Sequence, residues 1–254
     1  MSTGSKRRGA ADDVVAWHAV ECGSYGVDLE LWRSLAEELG GPVLELGAGT
    51  GRVARALAES GHDVIAVERE GALAEELRER AERAGLPLSV LRADLRELQP
   101  EQLSAPPRLL IGPMHVLQEL DRPGRAEVLA AALRLCRPGA VLAFALVDES
   151  YLSAPGGADA PLLPDLMEIE GRVFSSEPLW VQMSEETIRV RRLRQRVDPD
   201  GELTRSVHDD VLHRLLPAAL EREAAELGLR PRERRLVSSG PTEADSIACL
   251  LEAP

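Results

Sequence analysis

The chain has 254 residues, and its 43 Asp and Glu against 30 Lys and Arg leave a formal net charge of −13. That length suits one large domain, or one domain with a lid, and supplies enough apolar material for a core. The acidic balance argues against a nucleic-acid partner, because a phosphate backbone is held by clustered positive charge. No run of about 18 apolar residues occurs, so no membrane-spanning helix is expected. The basic N-terminus meets Asp12 and Asp13 before an apolar stretch forms, so no secretory signal is expected. Cys22, Cys136 and Cys249 are too few and too scattered for a disulfide framework or a zinc site. The expectation is a reduced, cytoplasmic protein with no metal.

Residues 1–12 are small, polar and charged and are read as an unstructured tail. A helical cap over 13–41 follows, with a break at Gly23 to Gly26 and an amphipathic second part, LELWRSLAEEL, ended by Gly40-Gly41-Pro42. Strands and helices then alternate. Short apolar runs at 42–46, 64–67, 88–91, 109–111 and 140–147 are separated by helical patterns at 52–60, 71–84 and 123–135. Such a run of βα units indicates a parallel, doubly wound sheet covered on both faces, here assigned to residues 42–150. Residues 153–165 read as a Pro/Gly/Ala-rich loop. The stretch 151–216 is β-rich, with Asp200-Gly201 as a hairpin signal. A helix from Pro217 to Gly228 and strands at 234–238 and 247–251 complete the sheet within 217–254.

The most informative segment is VLELGAGTGRV at 43–53. A strand that ends in glycines and turns directly into a helix aims backbone N–H groups and the positive helix end at a ligand. A dinucleotide fingerprint would need glycines at the first, third and sixth positions, to seat a pyrophosphate. Here Gly47, Gly49 and Gly51 hold the first, third and fifth, and Arg52 the sixth. That phasing disfavours a nicotinamide oxidoreductase. With acidic Glu45 ahead of the glycines, it suits a ligand carrying an amino-acid cation.

In these residues the chain resembles the class I S-adenosylmethionine-dependent methyltransferases, with a pattern similar to the small-molecule N-methyltransferases among them. The resemblance spans roughly residues 13 to 254 and is strongest at 42–147. It implies a seven-stranded, mostly parallel sheet with an N-terminal helical cap and an antiparallel β-rich insertion. It also implies S-adenosylmethionine as cofactor, bound by Glu45, Gly47, Ala48, Gly49, Gly51 and Arg52. Glu68, with Arg69 beside it, would take the ribose hydroxyls, as a carboxylate facing a diol can. Asp94 and Leu95 would read the adenine, although Asp94 also suits a helix cap. Pro113 and Met114 would face the reacting methyl, and Tyr25, in the glycine-flanked break, would cap the methionine part.

The acceptor side is less determined. Methyl transfer is an in-line displacement, for which the enzyme mainly supplies proximity and orientation. His115 lies near a position where similar proteins carry Asn or Ser, and Glu119 near one where they carry His. His115 is the catalytic candidate, as a base or hydrogen-bonding group, against a packed role lining the cleft. TIRVRRLRQRV places five arginines, Arg189, Arg191, Arg192, Arg194 and Arg196, on one strand. They would either hold an anionic acceptor or pair with the chain's many acids. The expected activity is methyl transfer to N or O of a small molecule or short peptide, by a monomer or homodimer. A regulatory protein that binds the cofactor without turnover is the alternative.

Overall fold

A computed structural model of the chain describes residues 3–149, 163–238 and 245–254, with the backbone alone for 3–12. Helix α1 (Thr3–Cys22) is followed by α2 (Leu29–Leu39), β1 (Val43–Leu46), α3 (Arg52–Glu59), β2 (Val64–Glu68), α4 (Gly71–Ala84), β3 (Leu88–Arg92), β4 (Leu109–Gly112), α5 (Arg122–Leu135) and β5 (Val141–Val147). A short strand and three long ones come next: β6 (Asp165–Ile169), β7 (Arg172–Met183), β8 (Thr187–Val197) and β9 (Leu203–His213). Helix α6 (Pro217–Glu226), β10 (Arg230–Val237) and β11 (Ser246–Glu252) complete the order. The helix at the start corrects one expectation. Residues read as an unstructured tail are helical from Thr3 onward, because Lys6, Arg7, Arg8, Ala10 and Ala11 favour helix and continue a segment that packs at 13–22. The expected loop at 153–165 lies largely outside the described residues.

The main sheet has seven strands in the order β10-β11-β5-β4-β1-β2-β3. β1 pairs in parallel with β2 and β4, as β2 does with β3 and β4 with β5, whereas β11 runs antiparallel to both β5 and β10. This is the class I methyltransferase fold that the sequence implied. Alternation along each strand divides its side chains between two cores. Leu44, Ile65, Leu110 and Leu142 pack with Leu129 and Leu135 of α5 and Leu220 of α6. Their neighbours Val43, Val64, Leu109 and Val141 pack on the opposite face with Trp32 and Leu35 of α2 and Val53 and Leu57 of α3. Strands with both faces covered have no polar face, which is why β5 reads as a continuous apolar run and β1 as one broken only by Glu45.

The chain leaves β1 toward one edge and β4 toward the other, so β1 and β4 flank the switch point where a doubly wound sheet opens a crevice at its carboxyl ends. The second sheet, β6-β7-β8-β9, is an antiparallel meander, and Gly201, with φ of +86°, makes the expected turn between β8 and β9. Helix α1 packs on this sheet through Trp17, whose ring meets Phe174 edge-on at 5.1 Å.

Candidate active site

The crevice at the switch point is a cavity of about 410 Å³. Its floor is the glycine turn. Gly47 and Gly49 have φ of +60° and +57°, a region that side-chain-bearing residues rarely adopt. A Cβ on Gly47 would fall 2.9 Å from Val116, and one on Gly49 would fall 2.2 Å from the His18 ring. Gly51 does not line the cavity; it caps α3 with φ of +87° and leaves room for Leu77, which a Cβ would meet at 2.1 Å.

Two carboxylates stand above this floor. Glu68, at the end of β2, accepts the backbone N–H of Gly49 at 2.8 Å through Oε2 and that of Glu70 at 2.8 Å through Oε1. Each oxygen keeps a second lone pair for a ligand. Glu45, in β1, is buried, and its Oε2 has no hydrogen-bond partner among the described residues. Burial pushes its pKa up to about 8, with nearby Asp28 adding to the rise and Arg52 opposing it. A buried acceptor left open beside a ligand cavity is a place for a cationic donor.

Arg52, at the start of α3, lines the cavity and ties the helical cap to the glycine turn. It donates to Asp28 at 2.5 and 2.8 Å and to the carbonyl of Tyr25 at 2.9 Å, and its guanidinium lies 5.1 Å over the Tyr25 ring. Asp28 also accepts the indole N–H of Trp32 at 2.8 Å. Tyr25 therefore sits behind Arg52 and is not a lining residue. Ala48, Arg69, Asp94, Leu95, Pro113 and Met114 all line the cavity. Asp94 lines the cavity and caps the turn at 95–97, accepting the Arg96 backbone N–H at 3.0 Å and the Arg96 guanidinium at 2.6 and 2.9 Å. That pairing holds its carboxyl below the ordinary range.

His115 is placed differently. It is not among the lining residues; its Nε2 lies 3.0 Å from the Ser246 hydroxyl of β11. Loss of solvent pulls its pKa down to about 4. Met114 and His115 both hold positive φ, +47° and +64°, a strained pair that the surroundings over-determine. Gln118 accepts the Val147 N–H at 2.8 Å and its own N–H donates to the His115 carbonyl at 2.7 Å. Glu119, from the same loop, does line the cavity, with Arg69 at 3.8 Å.

The five arginines of β8 are matched with carboxylates. Arg191 and Arg189 meet Asp209, Arg192 meets Asp165 and Asp210, Arg194 meets Glu21, and Arg196 meets Asp13 and Asp198. Sequence reasoning missed His18 and Cys22 of α1, which both line the cavity. The available signal was their four-residue spacing on one helix face, beside Asp13, Trp17 and Glu21 on the neighbouring face. Among the described residues no cluster of His, Cys, Asp and Glu is arranged to hold a metal, and no helix is long and apolar enough to cross a membrane.

Residues 43–139 match the methyltransferase domain family. Within those residues the chain carries a methyltransferase domain. The whole chain is also similar to solved methyltransferases. The sugar N-methyltransferase KedS8 from Streptoalloteichus sp is 17% identical, with a TM-score of 0.68 over 90% of this chain and 89% of that one. The amino pentose methyltransferase CalS10 from Micromonospora echinaspora, solved with S-adenosylmethionine bound, is 16% identical, with a TM-score of 0.65 over 92% and 96%. The glycopeptide N-methyltransferase MtfA, solved with S-adenosylhomocysteine, is 20% identical, with a TM-score of 0.63 over 89% and 87%. No curated protein matches the chain by sequence. The cavity's residues are compatible with the S-adenosylmethionine that CalS10 binds: glycines where a Cβ would intrude, a buried Glu45 oxygen without a partner among the described residues, and Glu68 with a lone pair open on each oxygen.

Proposed function

We propose that this methyltransferase moves the methyl group of S-adenosylmethionine to the nitrogen of a small-molecule amine, of the amino-sugar or peptidyl-amine kind. The observation that carries the reading is Glu119, a carboxylate that lines the same cavity as Pro113 and Met114. A carboxylate there attracts an ammonium, orients it and takes up the proton it sheds. A hydroxyl acceptor would call for a base able to ionise it, and His115 is committed to Ser246. The names of KedS8, CalS10 and MtfA agree with an amine acceptor.

Bound, the cofactor supplies an electrophilic methyl group on a sulfonium. Glu45 would hold its amino-acid end, Glu68 its ribose and the Asp94 region its adenine. Pro113 and Met114, fixed in a strained turn by Gln118 and Ser246, set the approach line to the methyl. Glu119 would accept the proton that the acceptor nitrogen sheds as it takes up the methyl group. The acceptor binds between α1, the second sheet and the loop after β4. The test is incubation with S-adenosylmethionine and a panel of amino sugars, amines, phenols and alcohols, reading S-adenosylhomocysteine release. Release with amines alone supports the reading; release with hydroxyl acceptors alone overturns it. Binding without any release would favour a regulatory protein.

A further inference from the structure

Strand β4 ends at Gly112, opposite Phe144, while β5 runs on to Val147. Beyond Phe144 the β4 side of β5 has no paired strand among the described residues, and a buried backbone N–H there needs another acceptor. The side chain of Gln118 supplies it: Oε1 accepts the Val147 N–H at 2.8 Å. The second sheet has a matching need, because β9 is its edge strand. The Arg214 N–H turns inward to the Glu186 carbonyl at 2.8 Å, so by alternation the His213 carbonyl faces the open edge. Gln118 meets that carbonyl too, donating through Nε2 at 3.4 Å. One fully buried amide thus stands in for a missing strand at the ends of two sheets. Arg214 fastens the same junction. It donates to Glu149, just past β5, at 2.6 and 3.0 Å and to the Ser184 carbonyl at 2.8 Å.

Gln118 belongs to the single turn Val116–Glu119, which its backbone N–H closes onto the His115 carbonyl at 2.7 Å. In such a turn successive side chains project about 120° apart. Anchoring Gln118 on the inward side therefore sets the direction of Glu119, which lines the cavity. We propose that Gln118 is the positioning residue for Glu119, holding that carboxylate at the cavity by hanging its turn between the two sheets. An amide suits the place because it offers a donor and an acceptor without a charge. The ion pair to Arg69 is a weaker tether: it is 3.8 Å long, and both side chains are more than half exposed. The bond to His213 also joins the turn to the second sheet, so Glu119 and an acceptor resting on that sheet share one frame.

The inference rests on Glu119 taking the proton of an amine acceptor, and the test separates the two. Turnover is measured for the wild-type protein, Gln118→Met, Glu119→Gln, the double variant and Gln118→Glu, with S-adenosylmethionine and the fastest-reacting amine of the acceptor panel. No turnover with any amine, or Glu119→Gln as fast as wild type, overturns the reading of Glu119 and the inference with it. If Glu119→Gln is slow, Gln118→Met lowers kcat by about tenfold to a hundredfold, the scale of a misplacement of about 1 Å. The KM for S-adenosylmethionine stays unchanged. Added to Glu119→Gln, Gln118→Met lowers kcat no further, because a residue that acts through another loses its effect with it. Gln118→Glu gives a second answer, resolved by pH. Its protonated carboxyl keeps a donor and an acceptor, whereas the ionised form has no donor for His213. Its turnover relative to wild type at the same pH therefore falls as pH rises. Wild-type kcat in Gln118→Met, losses that add in the double variant, or a pH-independent ratio for Gln118→Glu overturns the inference. If Gln118→Met fails to fold, the Gln118→Glu ratio decides: a fall with pH supports the inference, and a flat ratio overturns it.

Discussion

Glu68 accepts the backbone N–H of Gly49 at 2.8 Å, joining the end of β2 to the turn that follows β1. The bond makes the two ligand-facing segments one rigid unit. It also fixes Glu68 with an open lone pair on each oxygen. Replacing Glu68 with Ala removes both the ligand contact and the support of the turn. Affinity for S-adenosylhomocysteine should fall by about tenfold to a hundredfold, the equivalent of one charged hydrogen bond. Calorimetry checks this, and an unchanged affinity would remove Glu68 from the site.

Glu45 gives a pH signature. Its folded pKa is raised from 4.5 to about 8, so between those values the folded state binds a proton that the unfolded state has released. Its contribution therefore makes stability fall as pH rises through that window. In the absence of cofactor, Glu45→Gln should flatten this part of the profile, read as the difference in urea midpoint between variant and wild type at each pH. Ligand binding should reverse the preference, because an ammonium at Oε2 favours the carboxylate. Wild-type binding near neutral pH should then release a proton, visible as a dependence of the calorimetric heat on buffer, and Glu45→Gln should not.

The loop after β4 separates two roles. Glu119→Gln should lower turnover by about a hundredfold, within the range for lost acid–base assistance, with affinity for S-adenosylhomocysteine retained. His115→Ala should act on the loop instead, lowering the melting temperature by loosening the Ser246 anchor while leaving more turnover than Glu119→Gln. The reverse order of turnover losses would return His115 to the base role.

Arginine pairs differ by burial. Arg125 and Glu223 join α5 to α6 with two bonds of 2.8 Å, and their side chains are only 6% and 13% exposed. Removing one partner strands a buried charge, so Arg125→Met should cost about 3–5 kcal/mol in urea unfolding. The Arg191–Asp209 pair is more exposed, and Arg191→Met should leave the urea midpoint nearly unchanged.

Much of this arrangement is legible in the sequence, because it depends on local rules. Apolar runs bounded by turns marked β1 to β5. The glycine phasing marked the turn, and strand-end acids marked Glu68 and Asp94. Trp32, within the stretch LELWRSLAEEL read as amphipathic, is fully buried. What stayed hidden depends on contacts across long stretches of chain. Nothing near His18 shows that it lies over Gly49, and nothing near His115 shows that Ser246 turns it from the cavity. The arginines of β8 left two readings because their partners, Glu21, Asp13 and Asp165, come from other elements. The helix at 3–12 was missed because a polar, charged segment carries no apolar periodicity, even where it extends a packed helix.

The central claim is that the glycine-floored cavity binds S-adenosylmethionine through Glu45, Gly49 and Glu68. Its most direct test is calorimetric titration of S-adenosylhomocysteine into the wild-type chain and into Gly49→Val. The account predicts micromolar binding at one site per chain in the wild type. It predicts loss of that binding in Gly49→Val, whose side chain would meet His18 and occupy the floor. No binding to the wild type, or equal binding to both proteins, would contradict it.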